Sequence, residues 1–187
     1  MTDQHVWFTA DLHFGHERIL KFHPDRPGTN AAEMGEALID KWNAVVDRHD
    51  HVYIVGDFCL AGQDVAETAF RRLKGQKHLV IGNHDPRRVI RMAWSSVDEI
   101  KEVRVGENKF VLCHYPMLTW NQAHKGVYHL HGHSHGMMNA QNHLQRARLD
   151  VGIDCHPHHR PFHVDEVLER LGDYTPVDQH GTAMDHS

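Results

Sequence analysis

The sequence predicts an α/β fold with one mixed β-sheet or two. Short apolar runs end abruptly in Asp, Asn or His, and helical-period segments lie between the early ones. That alternation calls for parallel strands joined by crossover helices. In the later half, two strand-like runs are separated by Gly106-Glu107-Asn108, which reads as an antiparallel hairpin. The chain of 187 residues is enough for one core and short for two. Residues 1–172 are therefore expected to form a single domain.

Taken in order, residues 5–10 (HVWFTA) are a buried strand stopping at Asp11, and residues 17–22 are a short helix. Residues 31–48 place Met34, Ala37, Leu38, Trp42, Val45 and Val46 at helical spacing. Residues 51–56 (HVYIVG) are a strand stopping at Asp57, and residues 65–73 are a helix closed near Gly75. Residues 78–82 (HLVIG) run into Asn83-His84-Asp85, residues 97–105 and 109–113 form the hairpin that ends at His114, and residues 127–130 (VYHL) lead into His131-Gly132-His133-Ser134-His135. Residues 148–153 add a strand and residues 164–171 a last helix. Beyond Gly172 the apolar pattern stops, so residues 173–187 are expected to be a mobile tail.

Composition narrows the chemistry. There are 21 histidines against 20 Lys and Arg, and neutral imidazole is the commonest protein metal ligand. A net charge of −5 lacks the basic footprint of a dedicated nucleic-acid binder. No basic-then-apolar leader opens the sequence, and no apolar run approaches the roughly 18 residues of a membrane span. Cys59, Cys113 and Cys155 show no CxxC spacing, which fits a reducing compartment. The expectation is a soluble, cytoplasmic protein.

Placement says more than number. In open α/β sheets, ligands gather beyond the carboxyl ends of strands, where Asp11, His13, Asp57, Asn83, His84, His114, His133 and His135 all fall. Singly, each reads more often as a turn former, a cap, or a surface or hydrogen-bonded residue. Jointly they do not.

Asp11-Leu12-His13, Gly56-Asp57, Gly82-Asn83-His84-Asp85, His114 and Gly132-His133-Ser134-His135, in that order, resemble the calcineurin-like metallophosphoesterase superfamily. The resemblance spans residues 11–135. It implies a four-layer α/β/β/α sandwich of two mixed sheets flanked by helices, and two divalent transition-metal ions, Mn first, with Fe, Zn, Ni or Co as alternatives. It also implies that Asp11, His13 and His135 hold one metal, that Asn83, His114 and His133 hold the other, and that Asp57 bridges them. Independently, imidazole, carboxylate and amide ligands without thiolate suit such metals and disfavour a calcium cage. Two metals roughly 3.5–4 Å apart can share a hydroxide that attacks in line. The implied reaction is hydrolysis of phosphomonoesters, phosphodiesters or both.

His84 follows a ligand position and is the candidate general acid. By the resemblance Asp85 orients it, while Asp85-Pro86 also reads as a helix cap with Pro at the first helical position. His16 is read either as a phosphate contact or as the start of the helix over 17–22. Arg87, with Arg88 and Arg91, is read as a substrate contact or a solvated face. Strand alternation puts His131 on the face of His133 and His135, where it is read as a substrate contact or as support for that pair. Asp150 and Asp154 either support the site from below or form turns and caps. Cys59 and Cys113 read as small buried hydrophobes, and His156, His158 and His159 are assigned to a surface loop. Without a cap domain the cleft should be open, favouring small exposed phosphate esters or diesters, nucleotides among them, as substrates. A metal-binding scaffold of the same fold, a histidine-rich metal store and a nuclease are the competing readings; the last needs a basic groove that the charge balance does not advertise.

Overall fold

The computed structural model describes residues 5–139 and 147–172. The tail expected over 173–187 lies outside the described residues. Strands are numbered in chain order. One sheet contains β1 (Val6–Thr9), β2 (His51–Val55), β3 (Gln76–Val80), β4 (Ser96–Asp98) and β9 (Phe162–His163), in the order β4-β3-β2-β1-β9. The first four of these are mutually parallel, and β9 runs antiparallel to β1. The other sheet is β5 (Ile100–Val105), β6 (Asn108–Cys113), β7 (Tyr128–His131) and β8 (Arg148–Asp150), in that order. Its β5-β6 pair is antiparallel and its remaining pairs are parallel. Helices α1 (Ile19–Phe22), α2 (Ala31–Asn43), α3 (Gln63–Arg72) and α4 (Arg87–Ile90) lie in the connections of the first sheet, and α5 (Val164–Leu171) follows β9. Two mixed sheets flanked by helices are what the resemblance implies, and they decide between the one sheet and two that periodicity left open.

Strand alternation divides the apolar residues between two cores. Ile54 and Leu79 face α2 and α3 with Met34, Leu38, Trp42 and Phe58. Their neighbours Val55 and Val80 face the second sheet, packing with Phe8, Phe110, Leu112 and Leu130, and α5 closes that core with Val164, Val167 and Leu171. Burial on both faces is why these strands read as continuous apolar runs. On the far side of the second sheet, Trp120 lies 5.2 Å from the His129 ring and donates to Val127 O, so the segment before β7 covers that face.

Several boundaries differ from the sequence expectation. The helix begun at residue 31 is capped by Asn30, whose Oδ1 accepts from Glu33 N–H at 2.9 Å. It ends at Asn43 and not at residue 48, because the Asn43 amide donates to Arg72 O and accepts from Lys74 N–H, tying the chain to the end of α3. The run over 97–105 is not one strand. Asp98 still pairs with Val80, whereas Ile100 pairs with Cys113 in the other sheet. Periodicity reports a strand but not its partner. The strand expected over 148–153 stops at Asp150, and Gly152 then bridges to Ala10 at the end of β1, so the two sheets meet at their carboxyl ends. His156 does not belong to a surface loop. It is buried, its ring 4.6 Å from Phe162, its Nε2 3.7 Å from Glu166, and its Nδ1 accepts from His158 N–H. It pins residues 156–159 onto α5, leaving His158 exposed.

His129 lies fully buried on β7, donating from Nδ1 to Val111 O at 2.9 Å and accepting at Nε2 from Met117 N–H at 3.1 Å. Burial pushes its pKa down from 6.5 to about 4. Below pH 6.5 the unfolded chain takes up a proton that the folded chain refuses. The stability present above that pH is thus lost as pH falls towards 4, by roughly 3 kcal/mol from this residue. Urea unfolding of the metal-free protein at pH 7.5 and 4.5 should show this loss, with a smaller pH difference in His129→Gln. Equal pH differences in the two proteins would contradict it.

Candidate metal centre and active site

The ligand-type residues at the strand ends share an unusual backbone. Asp11, His13, Asp57, His133 and His135 have φ of 56°, 52°, 58°, 67° and 47°. Residues other than glycine rarely occupy this left-handed region, at a cost on the order of 1–3 kcal/mol each, and such residues cluster at functional sites. The loops after β1 and β2 zip together to hold them: Asp11 N–H donates to Gly56 O and His13 N–H to Asp57 O, both at 3.0 Å.

This convergence makes two groups of donors. Asp11, His13 and His135 bring ligand atoms within 4.8 Å of one another. His13 is buried, stacked 5.2 Å from the His135 ring, and neither of its ring nitrogens has a hydrogen-bond partner among the described residues. Burial, reinforced by Arg26, lowers its pKa to about 2, so it carries a free lone pair. In the second group, His114 Nδ1 donates to Val55 O at 2.9 Å, which turns its unprotonated Nε2 towards Asn83 Oδ1 at 2.9 Å. His133 Nδ1 lies 3.0 Å from the same oxygen. Between the groups stands Asp57, with Oδ2 3.6 Å from His13 Nε2 and 3.5 Å from His114 Nε2.

The donors fit divalent cations. Orphaned imidazole lone pairs, an amide oxygen and carboxylates converge where nothing else neutralises them. Burial, followed by the charges of Asp150 and Asp57, pushes the Asp11 carboxyl well above its ordinary value; a bound cation would reverse that. Two glycines keep the space open. A Cβ on Gly82 would lie 2.3 Å from Asp57 Oδ1, and one on Gly56 would lie 2.3 Å from His114 Nδ1.

The other candidates divide. The exposed His84 and half-buried His16 flank His13, with ring centroids 5.8 and 5.5 Å from it. His84 N–H donates to Asp57 Oδ1 at 2.8 Å. Arg87 is exposed at the start of α4, whereas Arg88 is committed to Leu60 O and Ala61 O. Asp85 is not the cap of α4. Pro86 occupies the cap position of α4, and the Asp85 carboxylate accepts from the backbone N–H groups of Asp57, Phe58 and Gly82 at 2.9, 2.8 and 2.8 Å. It binds the loops after β2 and β3 together. His131 is not a substrate contact: it is fully buried, 5.5 Å from the His129 ring. β7 ends there, and the left-handed turns at His133 and His135 break the alternation that placed the three on one face.

Sequence reasoning missed Arg26 and His23. Arg26 is buried, and the His23 ring stacks 4.6 Å from His135. Arg26 sits in Pro24-Asp25-Arg26-Pro27-Gly28, which reads as an exposed turn, and no period marks it. Asp154, one of the two aspartates considered as support from below, does bind a site residue, accepting from His135 Nδ1 at 2.7 Å.

Fold and site together define a two-sheet α/β protein whose strand-end cluster of His, Asp and Asn could hold divalent cations. The chain belongs to the family of uncharacterized protein MJ1445 of Methanocaldococcus jannaschii, with which it is 30% identical over 181 residues, covering 91% of this chain and 93% of that protein. It is also 29% identical over 181 residues to the gene 66 protein of Mycobacterium phage L5, covering 80% and 86% of the two chains. No protein-family model matches it. Among solved structures, the protein of unknown function AQ665 from Aquifex aeolicus superposes with a TM-score of 0.72 at 20% identity, over 88% of this chain and 98% of that one. YfcE, a phosphoesterase from E. coli, is a more remote match, with a TM-score of 0.39 at 16% identity over 79% and 78%.

Asp57→Ala should abolish tight cation binding in a calorimetric titration with Mn²⁺, and Gly82→Ala should weaken it about tenfold or more by displacing the Asp57 carboxylate. Wild-type affinity for Mn²⁺ in Asp57→Ala would contradict a role for Asp57 in holding a cation.

Proposed function

We propose that this chain is a calcineurin-like, dinuclear metal-dependent phosphoesterase that hydrolyses phosphomonoesters, phosphodiesters or both. The observation that carries the reading is Asp57 Oδ2, which lies nearly equidistant from His13 Nε2 at 3.6 Å and His114 Nε2 at 3.5 Å. Asp11, His13 and His135 hold one cation, Asn83, His114 and His133 hold the other, and Asp57 serves both. When bound, two divalent ions (Mn first, otherwise Fe, Zn, Ni or Co) supply Lewis acidity to the phosphoryl oxygens and an activated water for in-line attack.

The chain's own groups do the rest. Asp57 Oδ1 accepts from His84 N–H at 2.8 Å, which fixes the turn that carries the exposed His84 ring to the mouth of the site beside His13. There it donates a proton to the leaving oxygen. His16, also beside His13, donates to a phosphoryl oxygen. Arg87 adds a cation at the rim that draws phosphate-bearing substrates, nucleotides among them. Asp85 is a positioning residue: by gathering three backbone N–H groups it holds the Asp57 and Gly82 loops in register. The free thiols of Cys59, Cys113 and Cys155 favour the cytoplasm. Among the described residues no helix is long and apolar enough to cross a membrane.

Mn²⁺-loaded protein should hydrolyse p-nitrophenyl phosphate, its bis-ester, or both. No turnover of either with any of the named metals would overturn the reading. His84→Ala should retain both cations but lose about 10²–10⁴-fold in kcat on alkyl esters. Its loss should be much smaller with nitrophenolate, a leaving group that hardly needs a proton. Equal losses on the two would remove the acid role from His84.

A further inference from the structure

Arg26 is only 3% exposed, and each nitrogen of its guanidinium is committed. Nε and Nη2 donate to the two oxygens of Asp154 at 2.7 and 2.6 Å. Nη2 also donates to Asp11 O at 2.7 Å, and Nη1 donates to Leu12 O at 3.1 Å. Asp154 accepts in turn from His135 Nδ1 at 2.7 Å. One side chain thereby reaches Asp11 through its own carbonyl, His13 through the carbonyl of the residue before it, and His135 through Asp154. These contacts all fall on one half of the site.

Stability alone is a weak reason for such an arrangement. Burying an ion pair costs desolvation that its attraction only roughly offsets, and well-packed apolar residues often serve as well. A bidentate fork does something apolar residues cannot, because it sets the plane of the carboxylate. The plane of Asp154 sets the tautomer of His135: with Nδ1–H donated to Asp154, the Nε2 lone pair is left for a cation. Burial opposes ionisation of Asp154, but the hydrogen bonds from His135 and Arg26 outweigh it and hold the carboxyl well below the usual range. The two carbonyls that Arg26 grips belong to the segment where Asp11 and His13 are left-handed, at φ of 56° and 52°. Asp154 already accepts three hydrogen bonds from Arg26 and His135, so we read the nearby grouping of His23, His135 and Asp154 as support for the site and not as a separate one.

We infer that Arg26, acting with Asp154, is a positioning residue that sets the cation affinity of the Asp11, His13 and His135 half and leaves the Asn83, His114 and His133 half untouched. The inference rests on the dinuclear reading above. Arg26 is buried away from solvent and touches no reacting atom, so its effect is on binding.

The test is a calorimetric titration of metal-free protein with Mn²⁺, repeated with Co²⁺ while visible absorption is followed. Wild type should take up two equivalents. Arg26→Met and Asp154→Asn should each weaken one equivalent about 10–100-fold, leave the other unchanged, and alter the absorption of one cobalt ion only. The double variant should lose less than the two singles summed, since Arg26 and Asp154 share the route to His135 while Arg26 alone grips the Asp11 and Leu12 carbonyls. The inference is overturned if neither affinity changes, if both fall together, or if the single effects add. Should far-UV circular dichroism show that Arg26→Met does not fold, Asp154→Asn, of nearly equal volume, decides. Wild type that binds fewer than two cations would overturn the dinuclear reading itself, a result distinct from any difference between variants.

Discussion

The Asp57 carboxylate, between His13 and His114, stands in space that ordinary packing would close. Keeping it there requires the β1 and β2 loops to zip through paired hydrogen bonds and Asp57 itself to turn left-handed. It also requires residue 82 to have no side chain and Asp85 to gather the N–H groups of both flanking loops. Each device is costly alone. Together they have an outlet in one place, because the same turns bring donors from both sheets to a single point.

Charge is distributed by the same logic. Several aspartates are buried near this point, and most are neutralised within the protein. Asp154 has Arg26 and His135, Asp85 has three backbone N–H groups, and Asp150 has the Ser134 hydroxyl with the N–H groups of Gly136 and Gly152. Asp11 and Asp57 are served less well. The Asp11 carboxylate accepts from His133 N–H, and the Asp57 carboxylate from His84 N–H. Unmet negative charge is thus concentrated beside the buried imidazoles of His13 and His114, a setting suited to divalent cations.

Much of this was legible in the sequence. The apolar runs that stop at Asp11, Asp57, Asn83 and His114 are strands buried on both faces, so their ends were visible as abrupt changes of polarity, and the helix over 164–171 was read to the residue. Other features resisted for identifiable reasons. Alternation made one strand of residues 97–105, because period carries no information about which sheet accepts each half. It also placed His131 beside His133, because it assumes extended backbone where the chain is left-handed. Asp85-Pro86 carries a capping pattern, but three backbone N–H groups from two loops compete for the same carboxylate and win it.

By itself, then, the sequence determined the fold class and the set of side chains gathered at the strand ends, since burial patterns and chain order are local properties. Tertiary structure decided what lies behind them. Arg26 is separated from Asp154 by 128 residues, and His114 from Val55 by 59. No local pattern links such pairs, because hydrogen bonds at these separations exist only once the two sheets have packed. Which imidazole nitrogen faces the centre, and which carboxylate is left without a partner, follow from those contacts.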